Sequence, residues 1–320
     1  MRRTLHCFFF WLLSAVVLGG CAPQTHLTVA VHPWIGYESL CLAQDLGWLP
    51  REVRLRHGHT ALDALAALKA GQVDAATLTL DEVLQARSAG VPLSVVLVMD
   101  SSAGGDVLMV RQGITTLAAL SGKRIGYEHT AVGELVLSEV LAQAGLSPDA
   151  IEHVDLPIAE QVAAWRAGAV DAIVTYEPVA SRLRAEGAQP LFDSRQMPDT
   201  IFDVLAVRRD RLAERHRALH LLTQTHFRVL EYLQSNREDA VYRIAEHQGV
   251  TAADVRRALS GVILPNLAGN HYALRSGSRF EQAAERLERL MVQRELLPTP
   301  DDLKHLFVDD YLPPAGEYGS

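Results

Sequence analysis

Ala70-Gly-Gln-Val-Asp-Ala75 returns as Ala167-Gly-Ala-Val-Asp-Ala172, 97 residues further along the chain. Each copy follows an alanine-rich helical stretch and runs into an apolar, β-branched segment. An alanine-rich chain produces chance matches, but here the flanking elements also recur in the same order. That argues for two related α/β units within one chain.

Around the first copy, strand and helix signals alternate. Leu27 to His32 alternates as a strand, Pro33 to Tyr37 is a loop, and Glu38 to Leu46 is a helix stopped by Gly47. Val53 to Arg56 is a strand. Thr60 caps a helix that ends at Gly71, and Val73 to Leu78 is the next strand. Asp81 opens another helix, and Leu93 to Val98 is a buried strand. Around the second copy, Lys123 to Tyr127 is a strand and Val132 to Ala144 a helix stopped by Gly145. Ala159 to Ala167 is a helix, Asp171 to Thr175 a strand, and Pro178 begins a further helix. The alternation predicts doubly wound, mainly parallel sheets. After Val207 only helical periods follow, at His216–Leu233, Arg237–Glu246, Ala252–Ser260 and Phe280–Arg294: a helical C-terminal tail without strands.

Composition agrees with two globular units. The 320 residues are 48% hydrophobic and 21% charged, and a domain holds about 150 residues. Formal net charge is −8, and −8 minus the two charges of Arg2 and Arg3 gives −10 if the first segment is removed. An acidic chain without a long basic run excludes nucleic acid as the expected partner.

That first segment reads as a signal peptide, residues 1–20. Arg2 and Arg3 precede an apolar run from Phe8 to Leu18, and eleven residues fall short of the ~20 that a membrane-spanning helix needs. Leu18-Gly19-Gly20-Cys21 resembles a bacterial lipoprotein cleavage box. It implies cleavage before Cys21, acylation of that cysteine, and a linker over 21–26. Ala22 after the cysteine would permit sorting to the outer membrane. Stable anchoring needs more than one acyl chain. Cys7 then leaves with the signal, and Cys41 is the single unmodified cysteine of the mature chain. It lies in an apolar helical stretch and reads as a small buried hydrophobe rather than a nucleophile.

Val31-His-Pro-Trp-Ile-Gly-Tyr-Glu-Ser-Leu40, with Leu42-Ala-Gln-Asp-Leu-Gly-Trp-Leu49 after it, resembles the start of periplasmic substrate-binding proteins of ABC importers. The branch is that of nitrate, sulfonates, taurine and thiamine-pyrimidine precursors. Glu128-His-Thr-Ala-Val-Gly133, Tyr176-Glu-Pro178, Leu191-Phe-Asp-Ser194 and Asp203-Val-Leu-Ala-Val-Arg208 agree with it in order, so the similarity spans Leu27 to Pro313. The resemblance implies a two-lobed (type II-like) periplasmic-binding-protein fold with two hinge crossings, near 100–106 and 201–207. Lobe one would be 27–102 plus 204–320, and lobe two 103–203. It further implies a monomer that carries a small-molecule ligand to an ABC importer permease. A ligand-sensing subunit for a membrane receptor and a pyrimidine-precursor enzyme of the same fold are the alternatives. The cysteine-rich motif of those enzymes is absent from this sequence.

No catalytic motif, cofactor motif or metal set emerges. HExxH, GxSxG and P-loop patterns are missing. His57-Gly-His59 shows no clustered carboxylate or thiol partner in the sequence. In doubly wound sheets ligands bind beyond the C-terminal strand ends. The loops there nominate Trp34, Tyr37, Glu38, Asp81, Asp100, Glu128, Thr130, Tyr176, Glu177 and Asp203. Trp34 and Tyr37 flank Gly36, where backbone could approach a ligand. Tyr176 reads equally as core or cleft. Thr130 is either a plain N-cap or the start of a site for an anion or carbonyl. Six of the ten are carboxylates, and no Lys or Arg stands among them. Glu38 and Asp81 begin helices, where carboxylates are favourable, so part of the six are caps. The remainder would repel a bare anion. The expected ligand is therefore a nitrogen heterocycle, an amine or a zwitterion, with any sulfonate at the Thr130–Gly133 helix start.

Overall fold

The computed structural model describes residues 26–317; the expected signal segment, Cys21 and the linker up to residue 25, and residues 318–320, lie outside the described residues. Two sheets form two lobes. The strands of the first are β1 (Leu27–Val31), β2 (Val53–His57), β3 (Ala75–Thr79), β4 (Leu93–Ser102), β10 (Phe202–Arg208) and β11 (Val262–Ile263), in the order β11-β4-β10-β3-β1-β2. The second holds β5 (Asp106–Val110), β6 (Arg124–Tyr127), β7 (Glu152–Asp155), β8 (Ala172–Tyr176) and β9 (Gln189–Asp193), in the order β7-β6-β8-β5-β9.

The two copies of the repeat occupy equivalent positions and do equivalent work. Gly71 and Gly168 take left-handed φ of 67° and 68° and end the helices α2 (Ala61–Lys69) and α5 (Gln161–Arg166). The Asp74 carboxylate accepts the Thr28 N–H at 2.9 Å, and the Asp171 carboxylate accepts the Arg124 N–H at 3.0 Å. Each aspartate thus ties the start of its lobe's central parallel strand. Each also gives its carbonyl to the end of the neighbouring antiparallel strand, from Arg208 N–H at 2.9 Å and Arg111 N–H at 3.1 Å. Gly and Asp recur because a tight turn and a short carboxylate are needed at both places.

The sheets are mixed rather than mainly parallel. β10 runs antiparallel to β3 and β4, and β5 runs antiparallel to β8 and β9. The reason is connectivity. β4 passes directly into β5 through 103–105, and β9 into β10 through 194–201, so each lobe receives one strand from the other, pointing backwards. The crossings lie side by side: Gly104 N–H donates to Ser194 Oγ at 2.7 Å, and Ser102 N–H to the Ile201 carbonyl at 3.0 Å. The second crossing precedes the expected 201–207 segment, most of which is β10 itself.

The remaining helices are α1 (Glu38–Asp45), α3 (Leu80–Ser88), α4 (Ala131–Ala144), α6 (Val179–Ala185), and the tail α7 (His216–Ser235), α8 (Arg237–Gln248), α9 (Ala252–Leu259), α10 (Leu267–Leu274) and α11 (Arg279–Gln293). Thr60 caps α2 with Asp63 answering as a capping box. Thr130 caps α4 by accepting the Gly133 N–H. The tail is not strand-free: β11 adds two residues to the edge of lobe one, with Val262 opposite Ser102. Among the described residues no helix is long and apolar enough to cross a membrane.

Candidate functional site

The C-terminal ends of β1, β3, β6 and β8 and the starts of β5 and β10 meet between the lobes. They enclose an inner cavity of about 20 Å³, room for about one water, so the lobes stand closed on each other. Lobe one contributes His32, Trp34 and Tyr37 after β1, Thr79 and Glu82 around the start of α3, and Asp203 on β10; lobe two contributes Asp106, Glu128, Thr130, Val132 and Tyr176.

Strand pairing concentrates the acids. Asp203 sits opposite Asp100 on one side and Thr79 on the other. Trp34 Nε1 donates to Asp100 at 3.0 Å, and the Tyr37 hydroxyl donates to Asp203. Glu82 accepts the Thr79 N–H at 3.0 Å. Donors then run out. Both oxygens of Asp81, and one each of Asp100, Asp106, Glu128 and Asp203, are buried without a well-formed hydrogen bond, although Asp100 and Asp203 lie close enough to share a proton. Burial without a cation disfavours the ionised form. It pushes Asp106 up to about 6, Asp81 and Asp100 to about 7 and Glu82 to about 8. Asp203 is raised well above the carboxylate range by burial and then by Asp100, and burial raises Glu128 too. His32, edge-on to Tyr37 at 5.1 Å, is pushed down to about 4 by burial. The compartment is therefore an assembly of proton-holding acids in need of a positive charge.

An outer cavity of about 590 Å³ adjoins the inner one, and His32 and Tyr176 line both. Its walls carry His57, His59 and His247 from lobe one and Arg166 and Arg182 from lobe two. Arg182 closes the cleft from outside by donating across the lobes to the Gln248 carbonyl at 2.7 Å.

Six of the ten residues nominated by the sequence line the inner cavity: Trp34, Tyr37, Glu128, Thr130, Tyr176 and Asp203. Asp100 stands behind Trp34. Asp81 is fully buried next to the cavity lining without joining it. Glu38 and Glu177, expected at the cleft, line neither cavity. Glu38 accepts from His247 Nδ1 at 3.0 Å and Gln248 Nε2 at 2.9 Å, while Glu177 caps α6 through the Ser181 N–H and pairs with Arg184 at 2.6 Å. Gly36 admits no ligand either. A Cβ there would lie 1.6 Å from Asp100 Oδ2, so the glycine makes room for the Trp34–Asp100 bond. Trp34 also bridges the lobes, meeting Tyr176 edge-on with centroids 5.7 Å apart.

The sequence missed His32, Glu82 and Asp106. Glu82 follows Asp81 directly, and only the phase of α3 decides which of the two faces the cavity. Asp106 opens β5, a strand unread in the sequence. It also missed a cluster. Cys41 and His247 join His57, although the sequence offers His57 no thiol neighbour.

The model of the NMT1/THI5-like family matches residues 37–255. The taurine-binding periplasmic protein of Escherichia coli (strain K12) is 30% identical over 153 residues. That match covers 47% of either chain, so this protein spans about half the length of the curated relative. The periplasmic aliphatic sulphonate-binding protein SsuA of Escherichia coli superposes with a TM-score of 0.73 at 19% identity, over 88% of this chain and 97% of SsuA. The desulfurization enzyme DszB superposes with a TM-score of 0.62 at 17% identity, over 89% and 97%. Likeness at such identity establishes the fold, which binding proteins and an enzyme share.

Proposed function

The chain belongs to the NMT1/THI5-like family, and within it we propose an extracytoplasmic solute-binding protein that captures a nitrogen-bearing cation or zwitterion between its lobes and delivers it, unchanged, to an ABC importer. One observation carries the ligand class. Glu82, Asp106, Glu128 and Asp203 line the inner cavity together with Trp34, Tyr37 and Tyr176, and no Lys or Arg lines it. An amine, an amidine or an aminopyrimidine supplies the donors that the orphaned carboxylate oxygens lack, and a flat ring suits the aromatic edges. Bare nitrate or a simple sulfonate supplies no N–H donor to these oxygens, and each of the acids that ionises would repel it.

The two compartments divide the ligand. Its cationic head enters the inner cavity, and its body extends into the outer one, which has the size of a small-molecule site. In a zwitterion the acidic end lies toward Thr130 or toward Arg182. Entry requires the lobes to part about the crossings at 103–105 and 194–201, with the sheet of β1–β4, β10 and β11 and its tail helices moving against the sheet of β5–β9. The relation to the periplasmic taurine-binding protein supports the extracytoplasmic location. An acylated Cys21 would hold the protein at the membrane. Cys21→Ser is then expected to release it, and a variant that stays membrane-bound at its mature mass refutes the anchor.

Mass spectrometry of small molecules freed from the purified protein tests the ligand class. The expected species carries a basic nitrogen and is recovered unmodified after incubation. Recovery of an alkanesulfonate without nitrogen, or of a converted product, contradicts the reading.

A further inference from the structure

The wall of the outer compartment holds a second constellation, built entirely from lobe one. Cys41 comes from α1, His57 is the last residue of β2, and His247 lies in the last turn of α8. Each offers one ligand atom, and these atoms lie within 4.8 Å of one another. All three residues line the cavity of about 590 Å³.

Each imidazole is already oriented. Gln44 Oε1 lies 3.0 Å from His57 Nε2 and takes its proton as a hydrogen bond. Glu38 holds His247 Nδ1 through both carboxylate oxygens, at 3.0 and 3.1 Å. Either ring is thereby left with its other nitrogen uncommitted and its lone pair available. A carboxylate or amide oxygen behind a histidine is the arrangement that fixes the tautomer of metal-ligating imidazoles and raises their basicity. The thiol completes a soft-to-borderline donor set. A dication supplies the positive charge a buried thiolate requires.

We propose that Cys41, His57 and His247 form a three-ligand site for a borderline-soft first-row dication, with Zn²⁺ as its occupant and the fourth coordination position open to the outer compartment. Zinc sits about 2.3 Å from sulfur and 2.0–2.1 Å from nitrogen, which sets tetrahedral ligand atoms roughly 3.3–3.7 Å apart. The side chains close in by no more than about 1.5 Å from the observed cluster. Binding one ion releases the Cys41 proton to solvent and leaves the imidazoles neutral. One thiolate and two imidazoles favour zinc over magnesium or calcium, which take oxygen donors. The three ligands all lie outside the inner compartment, so the site does not rest on the charge preference proposed there.

The test uses the full chain without a polyhistidine tag. Co²⁺ serves as the probe and Zn²⁺ as its competitor. One equivalent of Co²⁺ is expected to give tetrahedral d–d bands and a thiolate-to-cobalt charge-transfer band, both erased by Zn²⁺. Cys41→Ser removes the charge-transfer band. His57→Ala, at an exposed strand end where folding is not at stake, lowers Zn²⁺ affinity at least tenfold, while Glu38→Gln lowers it about 10- to 100-fold through His247. His59→Ala, outside the cluster, changes nothing. Absence of a charge-transfer band in the wild type, or Zn²⁺ affinity unaltered in His57→Ala, overturns the site.

Discussion

The inner and outer compartments share His32 and Tyr176 in their walls, yet they treat charge in opposite ways. Around the outer one every prominent charge has a partner. Arg166 Nε donates to Glu186 at 3.0 Å, Arg182 reaches the Gln248 carbonyl, and Glu38 accepts from His247 and Gln248. In the inner one, Asp100, Asp106, Glu128 and Asp203 each keep a buried oxygen without a well-formed hydrogen bond. The same residue type is structural in one place and unspent in the other. The number of donors within reach separates them, and the unspent carboxylates are where an incoming ligand gains most.

The largest expected effect tests that separation directly. Asp106→Asn or Glu128→Gln should weaken a cationic ligand about 10- to 100-fold, the range for a charged hydrogen bond. Glu177→Gln should leave affinity within about twofold and cost fold stability instead, because its oxygens already serve Ser181 and Arg184. Isothermal calorimetry on both variants decides; equal losses would erase the distinction between paired and unpaired carboxylates.

A smaller effect concerns pH without ligand. A carboxyl whose folded pKa is raised holds its proton after the unfolded chain has lost it. Stability then falls as pH rises from the ordinary carboxylate value to the raised one. Buried His32 and His226, pushed down to about 4 and about 3, act oppositely, but only below their ordinary value of 6.5. Between pH 6.5 and 8 the acids act through Asp81 and Asp100 at about 7 and Glu82 at about 8, and His247, raised by its hydrogen bond to Glu38, acts in the same sense. The ligand-free protein should lose at least about 1 kcal/mol over that window, and Glu82→Gln should flatten the slope. Denaturant melts at the two pH values measure it, and a stability that rises toward pH 8 would refute the unpaired-acid picture.

Gly36→Ala should cost about 1–3 kcal/mol, since its Cβ meets Asp100 Oδ2 at 1.6 Å and must push it off Trp34. Indole fluorescence during the same melts would register the freed Trp34, and an unperturbed midpoint would argue against the close approach.

How far the sequence reached follows the same physics. The two Ala-Gly-x-Val-Asp-Ala turns were legible because tight turns and helix stops demand particular residues locally. The direction of β5 and β10 was not, because an antiparallel strand has the same periodicity as a parallel one, and only the crossing between lobes reverses it. Asking which residues follow strands or lie near a crossing leads to Trp34, Tyr37, Glu128, Thr130, Tyr176 and Asp203, which line the inner cavity. Glu38 and Glu177 were included by the same rule and found partners that no local pattern reveals. The Cys41–His57–His247 cluster spans separations of 16 and 190 residues, beyond any spacing motif.

The central claim is that the inner compartment takes positive charge. A thermal-shift panel on the purified protein at pH 8 tests it most directly, with primary amines, amidines and aminopyrimidines set against nitrate and alkanesulfonates, and taurine between them. The expected result is stabilisation by at least one nitrogen base and none by nitrate or a simple alkanesulfonate. Stabilisation by the anions, with no nitrogen base effective, would contradict the account.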